Sequence, residues 1–170
     1  SHLFTLPKGP GNSSGLLSLV RLITLMEVAL KLLMRILFRR VTSFITKFGL
    51  LTGANTSILP GTSTTVPLWL LATTIQDSKL SKAPLLIFSE DKSKAFDSVP
   101  FSSLKISMLA IGLPTAFVNF YCDKVLIGRT SSVLTAFGPS PPAPIMKGVP
   151  LGGVESPLLW NIFYDPLIRA

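Results

Sequence analysis

Two aspartates in the stretch SEDKSKAFDSV, residues 89–99, are the acidic residues of this chain that are best placed for chemistry. Asp91 and Asp97 stand six positions apart in a chain that has eight acidic residues in all. A carboxylate held on a rigid element can bind a hard cation such as Mg²⁺ through its oxygens. The alternative is that Asp91 is a surface turn residue that pairs with Lys92 and Lys94. The stretch alone leaves both interpretations open.

Length and composition limit the remaining kinds of site. A chain of 170 residues corresponds to about one domain, or to a piece of a larger one. Cys122 is the only cysteine, which rules out an internal disulfide, and His2 is the only histidine. Zinc sites are built mainly from histidine and cysteine, so any metal site here needs oxygen ligands.

The net charge of +8 is unevenly distributed along the chain. Residues 1–83 hold nine Lys and Arg against two acidic residues, whereas residues 84–170 hold seven against six. A basic first half beside a second half that carries most of the acids suits a polyanion held near a carboxylate site. A solvated or membrane-surface face would give the same count, so charge alone leaves nucleic acid and membrane partners open.

The mean hydropathy of +0.55 is high enough to require a test for membrane segments. Residues 48–76 are interrupted by glycine and proline, and residues 16–38 are broken at intervals by charged side chains. We therefore expect no stable membrane insertion. The first 15 residues lack the basic-then-apolar order of a signal peptide, and without an initiating Met the sequence is expected to start inside a longer frame.

The first half of the chain is predicted to contain two helices. Residues 1–15 are rich in Pro, Gly and Ser and predict an irregular lead-in. Apolar residues recur at spacings of three and four over 25–47, which predicts an amphipathic helix that Gly49 ends. Residues 53–65 have the composition of a loop, and 66–82 predict a second helix with proline near its first turn.

The residues around the two aspartates predict a strand followed by a helix. Residues 84–90 form a short apolar run that predicts a strand covered on both faces, with Asp91 at its carboxyl end. The segment 100–112 starts with proline and ends with glycine, as helices commonly do. Asp97 and Ser98 precede this helix and are predicted to cap it.

The rest of the chain alternates further helices and strands. We predict a helix over 114–126, a strand over 129–138, an extended or turning connection over 139–144 and a strand leading into a loop over 145–153. A last helix over 155–170 has Glu155, Ser156 and Pro157 at its start, all favourable there, with Ser156 and Pro157 in a structural role. The predicted fold class is α+β, rich in helices with a few antiparallel strands.

Two motifs give the chain a recognisable resemblance. IFSEDKSKAFDSV resembles motif A of the reverse transcriptases of non-LTR, LINE-like retrotransposons, whose pattern is Asp-x-x-Lys-Ala-Phe-Asp. KGVPLGGVESPLLWNIFYDPL, residues 147–167, is similar to motif B, a glycine-rich loop that leads into a helix beginning Ser-Pro-Leu-Leu. Residues 20–41 are similar to the fingers segment of that family, and 58–64 to the loop after it. The resemblance therefore covers nearly the whole chain.

The resemblance implies an architecture and an activity. The fold would be a partial right-hand polymerase, with a fingers-like region over 1–83 and the first part of the palm over 84–170. The activity would be RNA-directed DNA polymerisation, in which deoxynucleotides are added by two-metal nucleotidyl transfer with Mg²⁺. The partners would be an RNA template, a DNA primer and deoxynucleoside triphosphates.

The resemblance also implies roles for residues of the motif A stretch. Asp91 would be the catalytic metal ligand, with the backbone carbonyl of Lys92 as a further contact to the metal. Phe96 would fill the space of a ribose 2′-hydroxyl and so select deoxynucleotides, although a phenylalanine of the core is an alternative. Asp97 is expected to have a structural role, as a cap or in a turn hydrogen bond before Pro100.

Further nucleotide-binding roles are implied for the loop and the fingers segment. Gly148, Gly152 and Gly153 would let the backbone approach the incoming nucleotide and the template base, with a plain turn as the alternative. Arg21 matches the fingers arginine and implies a contact to triphosphate or template, with a merely solvated arginine as the alternative.

Departures from the family pattern limit the expected activity. Leu151 stands where the family has glutamine, and Leu22 replaces the proline after the fingers arginine. The Tyr-x-Asp-Asp of motif C is absent, and Asp165 lies in a predicted helix before proline, so it is no substitute. The C-terminal palm and thumb segments are expected to be missing, and the chain to be inactive alone. The alternatives are a non-catalytic basic nucleic-acid-binding remnant and a membrane-surface protein built on the helix of residues 25–48.

Overall fold

The computed structural model describes residues 1–7, 20–55, 57 and 59–170, and for residues 7 and 20–22 it describes the backbone only. The helices are α1 Val28–Phe48, α2 Thr65–Ser81, α3 Ala95–Ser98, α4 Phe101–Ala110, α5 Thr115–Asn119, which continues into a π-helix Phe120–Leu126, and α6 Ser156–Arg169. The strands are β1 His2–Pro7, β2 Val20–Leu25, β3 Thr130–Thr135, β4 Gly138–Pro139 and β5 Ala143–Pro144. The protein is thus rich in helices, as predicted.

The strands form one mixed sheet in the order β2-β1-β3-β4, with β5 paired to β3. β1 is antiparallel to β2 along its full length, and β3 is antiparallel to both β4 and β5. β1 and β3 are parallel, so the prediction of antiparallel strands alone was incomplete. The sheet also joins strands from both halves of the chain.

The predicted irregular lead-in is wrong over His2–Pro7, which forms β1. Its residues pair with β2 and with β3, and this pairing outweighs the local composition. The remainder of the predicted lead-in, residues 8–15, lies outside the described residues. The first helix begins at Val28 and not at residue 25, because residues 20–25 form the strand β2.

The other predicted helices are confirmed with small shifts of their ends. The helix predicted over 114–126 is one continuous element that changes from α to π geometry at Phe120. α4 begins at Phe101 after Pro100, so neither Asp97 nor Ser98 caps it, contrary to the prediction. Both residues belong instead to the short α3, and the Ser98 hydroxyl donates a hydrogen bond to the Ala95 carbonyl at 3.0 Å.

The strand predicted over 84–90 is not formed. This segment has no regular structure and every residue in it is exposed, with Leu86 at 98% and Phe88 at 88% of full exposure. An apolar run becomes a strand only when a neighbouring strand accepts its backbone hydrogen bonds, and no described strand lies beside this one. The strand predicted at the start of 145–153 is absent too, and this segment is a loop.

The hydrophobic core is built from α1, α4, the α5–π-helix element and α6. The core residues with no exposed surface are Met34, Val99, Leu104, Met108, Val118, Tyr121, Leu159 and Ile162. α2 contributes no buried residue. Among the described helices, none is both long and apolar enough to cross a membrane. Packing in this core fixes α6 against α1, α4 and the α5–π-helix element, and so positions the loop that precedes α6.

The C-terminal part of α6 is fixed to the loop after α1 by a buried carboxylate. Asp165 accepts hydrogen bonds from the Thr52 amide at 2.8 Å, from Asn55 Nδ2 at 3.2 Å and from Arg169 Nε at 2.5 Å. Burial would raise the pKa of Asp165, but these donors outweigh it and hold the pKa below its usual value. Asp165 therefore anchors the end of α6 to the loop after α1.

Candidate functional site

We call residues 89–99, which include the short helix α3, the motif A turn, and the end of it that carries Asp91 lies at the surface. Asp91 and Lys92 are both exposed, and the Lys92 ammonium forms an ion pair with Glu90. The hydrogen bond to Glu90 raises the pKa of Lys92, whose ammonium also lies 5.9 Å from the centroid of the Tyr164 ring. Lys94 takes a left-handed backbone conformation with φ of 54° and turns the chain into α3.

Phe96 lies half-buried at the border between this turn and the core. Its ring centroid is 6.2 Å from that of Trp160 on α6, and both rings pack against the buried core residues. Part of the ring is thus fixed by α6 and part remains accessible. The position is compatible with either interpretation that the sequence left open, a sugar-selecting ring or a phenylalanine of the core margin.

The glycine-rich loop before α6 packs directly on the turn. The Gly148 amide donates a hydrogen bond to the Val99 carbonyl at 2.7 Å, and the Val149 amide donates to the Phe96 carbonyl at 2.8 Å. Gly148 has φ of 92°, and a Cβ there would lie 3.0 Å from both Cα and the carbonyl oxygen of Asp97. Glycine is required at 148 because the backbone of the turn occupies the space that a side chain would need.

The same loop is also joined to β2. The Thr24 amide donates a hydrogen bond to the Leu151 carbonyl at 2.7 Å, and a Cβ at Gly152 would lie 3.1 Å from the Thr24 carbonyl oxygen. At Gly153 a Cβ would meet Oε2 of Glu155 at 2.9 Å. A side chain at any of the three glycines would therefore meet protein atoms, although Gly152 itself is exposed.

Three further residues were singled out from the sequence: Ser156 and Pro157 lie at the start of α6, and Arg21 lies in the sheet. The Ser156 hydroxyl donates to the Pro150 carbonyl at 2.6 Å, which closes the loop onto the helix, and Pro157 lies in the first turn. Arg21 is in β2 opposite Leu6, and its side chain lies outside the described residues. The structure thus brings Phe96, the turn and the loop together.

Asp91 does not take part in a cluster of metal-binding side chains. Within the described ranges, no group of three or more His, Cys, Asp and Glu side chains could hold a metal ion. The Asp91 carboxylate and the Lys92 carbonyl are oxygen donors of the kind that Mg²⁺ prefers. One carboxylate and one carbonyl do not by themselves make a complete site for two metal ions.

Arg129 contacts the glycine-rich loop, and the sequence analysis did not predict this contact. Its Nη2 donates to the Gly148 carbonyl at 2.7 Å and its Nε donates to the Leu126 carbonyl at 3.1 Å. The guanidinium carbon lies 5.6 Å from the centroid of the Phe101 ring, and burial lowers the pKa of Arg129. Arg129 therefore ties the loop to the end of the π-helix. No local pattern around position 129 indicates these contacts.

A second feature missed from the sequence is a buried polar pair beside a cavity of about 530 Å³. Glu155 is 1% exposed and Tyr121 is completely buried, and both line this cavity. Burial raises the pKa of Glu155, and it raises that of Tyr121 well above its usual value. Glu155 precedes α6 as predicted, but its side chain makes no capping hydrogen bond.

Comparison with known proteins identifies the family of this chain. No curated protein matches the chain. The sequence model of the family described as "Reverse transcriptase (RNA-dependent DNA polymerase)" matches residues 7–170, which include the turn, the glycine-rich loop and α6. The chain therefore belongs to the reverse transcriptase (RNA-dependent DNA polymerase) family.

Proposed function

We propose that the chain is the fingers and the first part of the palm of a reverse transcriptase from a non-LTR, LINE-like retrotransposon. In this proposal residues 1–83 are fingers-like and residues 84–170 are the partial palm. The observation that supports it best is the direct pairing of the two motifs, in which the Val149 amide donates to the Phe96 carbonyl at 2.8 Å. A loop that is built onto the motif A turn is what a shared nucleotide site would need.

The partners in this proposal are an RNA template, a DNA primer and a deoxynucleoside triphosphate. When bound, Mg²⁺ would activate the attacking hydroxyl and neutralise charge on the phosphates. The Asp91 carboxylate and the Lys92 carbonyl are the groups of this chain that would contact it. Because the described residues offer no cluster of three metal-binding side chains, we propose that the chain has no polymerase activity alone.

Other residues would bind and orient the nucleotide without taking part in the reaction. The accessible part of the Phe96 ring would exclude a 2′-hydroxyl, while Trp160 holds the ring from the other side. Gly148, Gly152 and Gly153 would shape the loop beneath the base. Arg21 would contact the triphosphate or the template, in keeping with its place in the fingers segment.

The first test combines nucleic-acid binding with primer extension. We expect the chain to bind an RNA–DNA hybrid with an affinity that falls steeply as salt rises, and to incorporate no deoxynucleotides with Mg²⁺. Failure to bind the hybrid would contradict the proposed function. Incorporation that disappears in Asp91→Ala would show that the proposed inactivity is wrong while supporting the role of Asp91.

The role of Asp91 can be tested without turnover. In the presence of hybrid and dATP, Mn²⁺ should broaden the NMR signals of residues 91 and 92, because a bound paramagnetic ion relaxes nearby nuclei. Asp91→Asn should remove the broadening. Asp97→Asn changes the same charge in the same turn and should retain it, so equal loss in both variants would argue against a specific ligand role for Asp91.

A further inference from the structure

The cavity beside Glu155 lies between the end of β2, the start of α1, the π-helix and the start of α6. Its volume of about 530 Å³ is within the range of small-molecule sites in proteins, which is roughly 300–1,000 Å³. Apolar side chains form much of its wall, among them Met26, Leu30, Val125 and Leu126. A cavity of this size with an apolar wall is suited to an organic molecule.

Two polar groups that line this cavity have no hydrogen-bond partner among the described residues. They are the carboxylate of Glu155, at both of its oxygens, and the hydroxyl of Tyr121. The two side chains are close enough to influence each other's pKa, but they do not meet the geometry of a hydrogen bond. Buried polar groups are almost always paired, because an unpaired one loses its hydration without compensation. The two groups differ from the rest of the core in this respect, and a ligand with hydrogen-bond donors would satisfy them.

The nearby cation does not satisfy the carboxylate. Arg129 also lines the cavity, but its Nε and Nη2 donate to the carbonyls of Leu126 and Gly148. No ion pair between Arg129 and Glu155 occurs among the described residues. A second carboxylate, that of the exposed Glu27, lies at the cavity as well. The cations at the cavity, Arg129 and the amino group of Ser1, donate to backbone carbonyls, so the two carboxylates and the phenol oxygen still favour a ligand that brings positive charge.

We propose that this cavity binds a small organic cation, with a primary ammonium or amidinium head that donates to Glu155 and Tyr121 and an apolar body against Leu30 and Val125. An anionic ligand would be repelled by the unpaired carboxylate. A bare divalent metal would find a single buried carboxylate and an apolar wall in place of an oxygen-rich shell. The proposal assigns a ligand that nucleotidyl transfer does not require.

Benzylammonium is a suitable probe, and benzyl alcohol is its neutral counterpart of nearly the same shape. Calorimetric titration of the chain at low salt should show benzylammonium binding at least about tenfold more tightly than benzyl alcohol. Glu155→Gln should weaken benzylammonium binding by about tenfold or more and leave benzyl alcohol binding nearly unchanged. Tyr121→Phe should weaken it less, by about threefold, since one hydrogen bond to a neutral group is lost.

Glu27→Gln is the matched control, because it removes the same charge at the same cavity from an exposed side chain. We expect it to change benzylammonium affinity by less than about twofold. Equal losses in Glu27→Gln and Glu155→Gln would show only general charge attraction and would overturn the proposal. Equal binding of the two probes, or no binding of benzylammonium at millimolar concentration, would also overturn it.

Further measurements distinguish a loss of ligand binding from a loss of folding and from a failure of the proposed reverse transcriptase function. The thermal melting transition of each variant establishes that it is folded, and the comparison of the two probes on the unsubstituted chain needs no variant. Asp91→Asn should leave benzylammonium binding unchanged. The cavity proposal can therefore fail while nucleic-acid binding persists, or hold while nucleic-acid binding is absent.

Discussion

The two ends of α6 carry buried carboxylates with opposite surroundings. Near the C-terminal end, Asp165 accepts hydrogen bonds from Thr52, Asn55 and Arg169. Just before the N-terminal end, Glu155 is almost as buried but accepts none from any other described residue. One carboxylate is held in place by donors from three residues, and the other faces a cavity.

The comparison separates a structural carboxylate from one that is available to a ligand. At Asp165 the donors outweigh burial and lower the pKa, whereas at Glu155 burial outweighs the attraction of Arg129 and raises the pKa. A perturbed and unpaired group beside a cavity is typical of functional sites, while a fully paired one is typical of anchors. The loop that precedes α6 joins the motif A turn at the same end as Glu155. The features to which we assign a function therefore lie at the N-terminal end of the helix.

Removal of the paired carboxylate should have the largest effect on stability. Asp165→Ala leaves the Thr52 amide without its acceptor inside the protein, and the Asn55 side chain keeps only its hydrogen bond to the Asn161 carbonyl. We expect the free energy of unfolding to fall by about 3 kcal/mol, which is the scale for disrupting a buried hydrogen-bond network. Equilibrium denaturation in urea measures this change.

Asp123→Ala is the control for that prediction, because it also removes an acid that pairs with a cation. Asp123 and Lys105 form an ion pair 2.8 Å long at the surface, with both side chains about one-third or more exposed. The loss should be below about 1 kcal/mol. Similar losses in the two variants would mean that Asp165 is no more than a surface ion pair.

The attachment of the loop to the turn should give the second largest effect. Gly148→Ala forces a side chain into a left-handed conformation and places its Cβ 3.0 Å from the backbone of Asp97. We expect a loss of about 2 kcal/mol. Gly128→Ala is the control, since Gly128 has φ of 80° but no atom within 4 Å of the added Cβ, and it should cost only about 1 kcal/mol. If the two variants unfold alike, the close approach of loop and turn is not a source of stability.

The parts of the fold that the sequence predicted are those with local signals. Proline or glycine marks at least one end of α1, α4 and α6, and these helices formed close to where they were expected, except that α1 begins three residues later. A strand forms only if a partner strand is present, and hydrophobic periodicity carries no information about that partner. This explains both the absent strand over 84–90 and the unpredicted β1. In the site, the sequence identified the two motifs, whereas their direct contact is seen only in the structure. The roles of Arg129 and Glu155 come only from the tertiary contacts around them.

Replacement of the Glu155 carboxylate should have the smallest effect on the free energy of unfolding, and it should raise this free energy where the other substitutions lower it. Glu155→Gln removes a buried charge without removing a hydrogen bond to another described residue, so the free energy of unfolding should rise by about 1 kcal/mol near pH 7. Glutamine keeps the shape of the side chain, which limits any change in packing. Urea denaturation of the variant and of the unsubstituted chain measures the difference.

The pH dependence of that gain sharpens the comparison between the two ends of α6. A buried acid with a raised native pKa binds its proton more tightly when folded, so its ionisation destabilises the protein only above the ordinary pKa of glutamate. The gain from Glu155→Gln should therefore be near zero in acid and grow as the pH rises through the native pKa of Glu155. Asp165 has a lowered pKa, so its contribution is full above the ordinary pKa of aspartate and is lost as the pH falls. A gain from Glu155→Gln that does not change with pH would mean that the carboxylate is paired, and the contrast between the two ends would then no longer hold.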